Sequence, residues 1–211
     1  MNTLVWELSK PTLLLAGFAL AGTLLLAGVH TVTAKQIAES ERQALLTRIN
    51  TLVEASRYDN NPLEDTLSLA ATELNSSKPV LVYRLRKQNQ PVAAVFTTTT
   101  PDGYSGNIRL VVGVNADQTL AGVRVLAHKE TPGLGDWIDV EKSDWILGFS
   151  GKSLQNPTET AWSVKKDGGE FDQFTGATIT PRAVVAAVKQ VLVWSGQHTD
   201  TLFAPSTGKQ P

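Results

Sequence analysis

The residues best placed to do chemistry are Asp172-Gln173-Phe174-Thr175-Gly176-Ala177-Thr178, followed almost at once by Thr180-Pro181. Thr-Pro is a helix-start pair: the Thr side chain can cap unpaired N–H groups, and Pro suits the first helical position. The run is therefore expected to be a turn of small residues ending at the mouth of a helix, with Thr180 as its cap. Backbone N–H groups at such a mouth face any nearby anion, and the helix dipole favours negative charge there. Gly176 and Ala177 let the main chain approach a ligand closely. Thr175, Thr178 and Thr180 add hydroxyls. The residues admit two readings, a plain helix cap or a phosphate site. Spacing alone calls for no covalent bond.

Two other segments have unusual composition. Gly103-Tyr104-Ser105-Gly106 is either a simple turn between strands or a place where Tyr104 and Ser105 stack on, or bond to, a ligand. His128-Lys129-Glu130-Thr131-Pro132-Gly133-Leu134-Gly135 holds too much Gly and Pro for a helix or regular strand, so it must be a shaped loop. Glu130 is a candidate ligand contact, or a buried partner of Lys129 or Lys166. Lys165 and Lys166 could neutralise a phosphate or form a solvated pair. His128 reads as structural rather than catalytic. With 3 His and no Cys, disulfides, thiolate metal sites and cysteine-ligated clusters are excluded, and a transition-metal site is not expected.

The elements that must position these segments show in the hydropathy pattern. Val80–Leu85, Val92–Thr98, Asn107–Val114 and Leu120–His128 read as strands, with turns at Lys87–Gln90, Pro101–Gly103 and Asn115–Gln118. Short turns between consecutive strands argue for an antiparallel sheet. Trp162–Lys166 is read as a further strand. Ala183–Val193 has a helical pattern, with Val184, Val188 and Val191 on one face and Ser195-Gly196 as its end. Leu46, Ile49 and Val53 share a face of an earlier helix, Gln36 to about Arg57, which Asn60-Asn61-Pro62 breaks. Leu63–Leu74 is expected to be a second short helix. The expected fold class is α+β, an antiparallel sheet with packed helices. Hydrophobic residues at 42% suffice for a core, and a net charge of −1 gives no pull toward nucleic acid.

No Asp, Glu, Lys or Arg lies between Lys10 and Lys35, and the middle of that stretch is apolar on every face. About 20 residues at roughly 1.5 Å rise span the ~30 Å hydrocarbon layer, so this is read as a transmembrane helix. A cleaved signal peptide with a site at Val32-Thr33-Ala34 is the competing reading. The run is long for one, and Glu7 sits beside Lys10 in the leader. The expected organisation is a cytoplasmic leader over 1–10, the membrane helix over 11–34 and a helical juxtamembrane region over 35–78. A sheet domain over 79–196 and a loose polar tail over 197–211 complete it.

Asp-x-x-Thr-Gly-Ala-Thr resembles the motif recognised by the periplasmic flavin transferase, which moves FMN from FAD onto the last Thr as a phosphoester. Here that residue is Thr178, and Asp172 is the leading acid. Together with the segments at 103–106 and 128–135, the chain resembles the FMN-binding domain family shared by the G subunit of the Rnf complex and the C subunit of the sodium-pumping NADH:quinone reductase. The length of 211 residues favours the first of these. The resemblance implies covalent FMN on Thr178. It implies flavin contacts from Tyr104, Ser105, Glu130, Thr131, Gly133, Leu134, Gly135, Lys166, Thr175, Gly176 and Ala177. Leu134 would pack on a ring face, with Gly133 and Gly135 permitting close approach. It also implies other membrane subunits of an Rnf-type complex as partners, and a complex that couples ferredoxin–NAD electron transfer to movement of Na⁺ or H⁺. The flavin domain would lie on the periplasmic side of the inner membrane. The alternatives are the quinone reductase C subunit and a non-redox single-span scaffold. No turnover on a diffusible substrate is expected of this chain alone.

Overall fold

A computed structural model describes residues 2–204. Helix α1 is Asn2–Leu52. The chain divides into two compact units, Met1–Leu45 and Leu46–Pro211.

Within the first unit, Leu14–Ala34 forms a 21-residue stretch long and apolar enough to cross a membrane, none of it buried. Leu15 is 72% and Phe18 77% exposed. A continuous apolar surface of this kind is stable in lipid and not in water. Thr23 and Thr33 turn their hydroxyls back onto the carbonyls of Ala19 and Val29, which removes a polar group from that surface.

The second unit is built on a 5-stranded antiparallel meander in sequence order. Its strands are β1 (Thr66–Leu69), β2 (Val80–Lys87), β3 (Gln90–Gly103), β4 (Gly106–Asn115) and β5 (Leu120–Ala127). Gln88 and Asn89 both take positive φ, 50° and 64°, in the tight turn that joins β2 to β3. Helix α2, Ile179–Gln197, covers one sheet face with the fully buried Val184, Val188 and Val191. Trp194 meets Phe96 of β3 edge-on at 5.9 Å. The end of α1 and the residue after it cover the other face: Ile49 and Val53 are fully buried, and an added Cβ on Gly113 would touch Leu52. Beyond β5 the chain folds into an aromatic cluster in which Phe149 stacks on Phe171 at 4.7 Å and meets Trp145 at 5.2 Å.

Several expectations are corrected. Leu63–Leu74 is not a helix. Thr66–Leu69 pairs with β2 as an edge strand, and only Ala71–Leu74 makes a 3₁₀ turn. A long-range ion cluster sets that edge: Asp65 binds Arg84 at 2.5 Å and Arg86 at 2.7 Å, all largely buried. Trp162–Lys166 is not a strand: Trp162–Val164 link two 3₁₀ turns, Glu159–Ala161 and Lys165–Asp167, and Val164 makes one isolated bridge to Phe171. Pro101–Gly103 belongs to β3, where a register shift after Thr100 tolerates the proline, so the turn itself is Tyr104-Ser105. Helix α2 runs past Ser195-Gly196 to Gln197. The start of the tail is ordered as α3, Thr199–Leu202, with Leu202 fully buried, and Arg86 donates to the Ala204 carbonyl at 2.6 Å. The rest of the tail lies outside the described residues.

Candidate functional site

Three segments distant in sequence meet at one end of the sheet. The β3–β4 turn contributes Tyr104, and the loop after β5 contributes Glu130, Thr131, Leu134 and Gly135. The turn before α2 contributes Gly176, Ala177 and Thr178, and α2 itself contributes Ile179 and Thr180. They enclose a cleft of about 300 Å³. That volume is at the small end of the range for ligand pockets, so it holds part of a large ligand and leaves the remainder at the surface.

The turn before α2 is anchored by Phe174, which is 8% exposed and packs on Trp145 at 5.2 Å and Trp137 at 6.1 Å. The Ala177 N–H closes the turn on the Phe174 carbonyl at 3.1 Å. Gly176 takes φ +79°, where a side chain would be strained. The Trp145 indole N–H donates to the Asp172 carbonyl at 2.8 Å, fixing the other end of the segment. Thr178, not Thr180, occupies the N-cap position, because α2 begins at Ile179. The Thr178 side chain is half-buried and caps no backbone N–H. The first turn of α2 itself carries no acidic residue; the nearby carboxylate is that of Glu130, held by the Thr180 hydroxyl. Backbone N–H groups at this helix mouth, which no side chain caps, can receive an anion.

The glycine loop is shaped from within. Leu134 and Gly135 donate to the Thr131 carbonyl at 3.1 and 3.0 Å, and Gly133 donates to Asp136 Oδ1 at 2.7 Å. Gly133 has φ +76°. Leu134, Tyr104 and Ile179 stand partly exposed at the cleft mouth, at 44%, 68% and 45%. They give the cleft apolar walls suited to a flat aromatic ligand.

The structure gathers most, though not all, of the expected residues. Tyr104, Glu130, Thr131, Leu134, Gly135, Gly176, Ala177 and Thr178 line the cleft. Ser105, Gly133 and Thr175 lie in the same segments without lining it. Lys166 is exposed; its backbone N–H donates to Gln173 Oε1 at 3.2 Å. Lys165 pairs with Asp172 at 2.6 Å. Among the described residues neither Lys129 nor Lys166 partners Glu130. Its oxygens accept instead from the N–H groups of Tyr104 and Ser105 and from the Thr180 hydroxyl. Gly135 serves this bond more than close approach of a ligand, since an added Cβ would lie 2.8 Å from Thr180 Oγ1 and 2.9 Å from Glu130 Cβ. His128 is structural: Nδ1 accepts the Glu130 N–H at 3.0 Å, and Nε2 lies 2.9 Å from Asp139. Sequence reasoning missed Ile179 as a wall and Thr180 as a buried donor.

Gly135→Ala is expected to destabilise the domain by about 1–3 kcal/mol through overpacking. Gly133→Ala, whose Cβ would meet open space, is expected to cost only the ~1 kcal/mol of its positive φ. Denaturant midpoints of the two variants in detergent would compare them. Equal losses would contradict the packing role of Gly135.

Residues 103–193 match the FMN-binding domain family, and residues 1–52 match the RnfG N-terminal region. The chain is 46% identical, over 94% of its length and 93% of the relative's, to the G subunit of the ion-translocating oxidoreductase complex of Pseudoalteromonas atlantica. It is 46% identical to the corresponding protein of Vibrio cholerae over 92% of both chains, and 48% identical to that of Pseudomonas aeruginosa over 93% and 92%. The chain belongs to the G-subunit family of ion-translocating oxidoreductase complexes. The N-terminal match and these relatives select this family over the quinone reductase C subunit. The FMN-binding match begins at Gly103 and ends at Val193, so it takes in all the cleft-forming segments. Membership gives the apolar half of α1 its context: the protein is a single-pass membrane protein with an FMN-binding domain. The cleft fits such a group, with apolar walls for a ring and an uncapped helix mouth for a phosphate.

Proposed function

We propose that this G-type subunit holds FMN covalently on Thr178 and serves as an electron relay within a membrane complex that couples ferredoxin–NAD electron transfer to movement of Na⁺ or H⁺. The observation that carries this reading is the Thr178 hydroxyl itself. It is half-buried, caps nothing, and stands at the positive end of α2 beside an apolar-walled cleft. Attachment would be made by a flavin transferase using FAD. The Thr178 Oγ–phosphorus bond forms, the pyrophosphate bond of FAD breaks, AMP leaves, and the hydroxyl proton is released. Bound FMN supplies one- and two-electron redox chemistry.

The residues of the chain hold and orient. The α2 N–H groups and dipole receive the phosphate. Leu134, Tyr104 and Ile179 exclude water from the ring faces, and the Thr131–Gly135 loop presents main-chain polar groups to the ring edge. A tether on Thr178 prevents loss of the cofactor from an open cleft. In this reading Leu14–Ala34 spans the inner membrane, and the FMN-binding domain lies on the periplasmic side beside the other subunits of the complex.

The test is co-expression of the full chain with a flavin transferase, followed by denaturing electrophoresis under ultraviolet light. A fluorescent band at the position of this chain is the expected result. A dark band would leave a single-span scaffold as the better account.

A further inference from the structure

Glu130 lies beneath the cleft and is 4% exposed. Its Oε1 accepts the Ser105 N–H at 2.9 Å, and its Oε2 accepts the Tyr104 N–H at 3.2 Å. The Thr180 hydroxyl donates to the same Oε2. One carboxylate therefore joins the β3–β4 turn to the first turn of α2 and opens the glycine loop from its own backbone. Gly135 closes over this junction, where a side chain would press on both Glu130 and Thr180. Thr180 is buried and lies two residues after Thr178, so the bond that fixes Thr180 also fixes the mouth of α2.

We propose that Glu130 is the positioning residue of the flavin site. It sets the turn at Tyr104-Ser105 and the mouth of α2 in one geometry before FMN arrives. It thereby governs the rate at which Thr178 is modified and the way the ring is held. The inference rests on the reading of Thr178 as the FMN acceptor. The chemistry requires a carboxylate. Its two oxygens take three donors here, the N–H groups of Tyr104 and Ser105 and the Thr180 hydroxyl. A glutamine would turn an NH₂ toward one of these donors and leave a buried pair of groups unsatisfied.

The test uses the full-length chain in detergent and the variants Glu130→Gln, Thr180→Val, Thr180→Ser and Glu130→Gln/Thr180→Val. Without flavin transferase, amide exchange at Tyr104, Ser105 and Ala177, whose N–H groups are all hydrogen-bonded, is expected to quicken about tenfold in Glu130→Gln. Thr180→Val should do the same at Ala177. Exchange at Val95 and Val111 in the sheet should stay as in the wild type, which separates a local effect from unfolding. With limiting transferase, both variants should incorporate FMN several-fold more slowly. The flavin they do carry should show a shifted midpoint potential and weaker visible circular dichroism. Thr180→Ser keeps the hydroxyl and should behave as wild type, and the double variant should be no worse than either single one. Wild-type exchange, incorporation and potential in both Glu130→Gln and Thr180→Val would overturn the proposal. A wild-type chain that took up no FMN would instead defeat the reading of Thr178, while the exchange measurements would still decide the role of Glu130.

Discussion

Thr178→Ala is expected to abolish covalent flavin while leaving the domain folded. An N-cap Thr normally contributes ~1 kcal/mol through its side-chain bond to the helix. Here the Thr178 side chain caps nothing, so its loss should shift stability by no more than about 0.5 kcal/mol. The flavin readout, by contrast, should fall from full labelling to none, because no other atom on the side chain can carry the ester. Thr178→Ser restores a hydroxyl at the same place and should be labelled again. In-gel fluorescence of the three forms, co-expressed with the same transferase, provides the comparison. A fluorescent Thr178→Ala band would move the attachment elsewhere, and Thr175 is the exposed hydroxyl on the same turn.

Phe149→Ala is expected to be the most damaging core substitution. Phe149 is fully buried and touches Phe171 at 4.7 Å, Trp145 at 5.2 Å and Trp162 at 6.2 Å. Removing a buried aromatic ring costs about 3–5 kcal/mol, a large share of the ~5–15 kcal/mol that holds a typical domain together. The damage should reach the site as well. Trp145 rests on Phe149, packs on Phe174 at 5.2 Å, and fixes the Asp172 carbonyl. With Phe149 gone, the turn that presents Thr178 loses its support, and FMN incorporation should fall along with the denaturant midpoint. A stability loss below about 1 kcal/mol would contradict the central place of this cluster.

Much of the fold is legible in the sequence because its signals are local. Runs rich in Val, Ile, Leu and Tyr in Val80–Leu85 and Asn107–Val114 mark strands. Gln88-Asn89 is tight-turn chemistry, and Val184, Val188 and Val191 recur at helical spacing. The failures come where distant groups decide. Thr66–Leu69 is a strand because β2 offers it an edge and Asp65 finds Arg84 and Arg86 in the folded state. Trp162 and Val164 have strand-like side chains, yet they lie between two 3₁₀ turns, and Trp162 joins the aromatic cluster against Phe171. The start of α2 is displaced for a similar reason. Thr180-Pro181 has the composition of a cap and first position, but Glu130 draws the Thr180 hydroxyl inward and the helix begins at Ile179.

The site divides in the same way. Its composition, glycines and hydroxyls before a helix, is visible as a possible anion site, and the resemblance adds the flavin. The junction at Glu130 is invisible in a linear reading, because its donors come from residues 25, 26 and 50 positions away. Charge alone points to Lys129 and Lys166 as its partners. Burial instead favours donors that bring no second charge to be desolvated.

Intact-mass analysis of the protein purified from its native membrane, followed by peptide mapping, tests the central claim most directly. The account predicts a mass increase of one esterified FMN, confined to the peptide that contains Thr178. An unmodified Thr178 in protein from flavin-replete cells would contradict it.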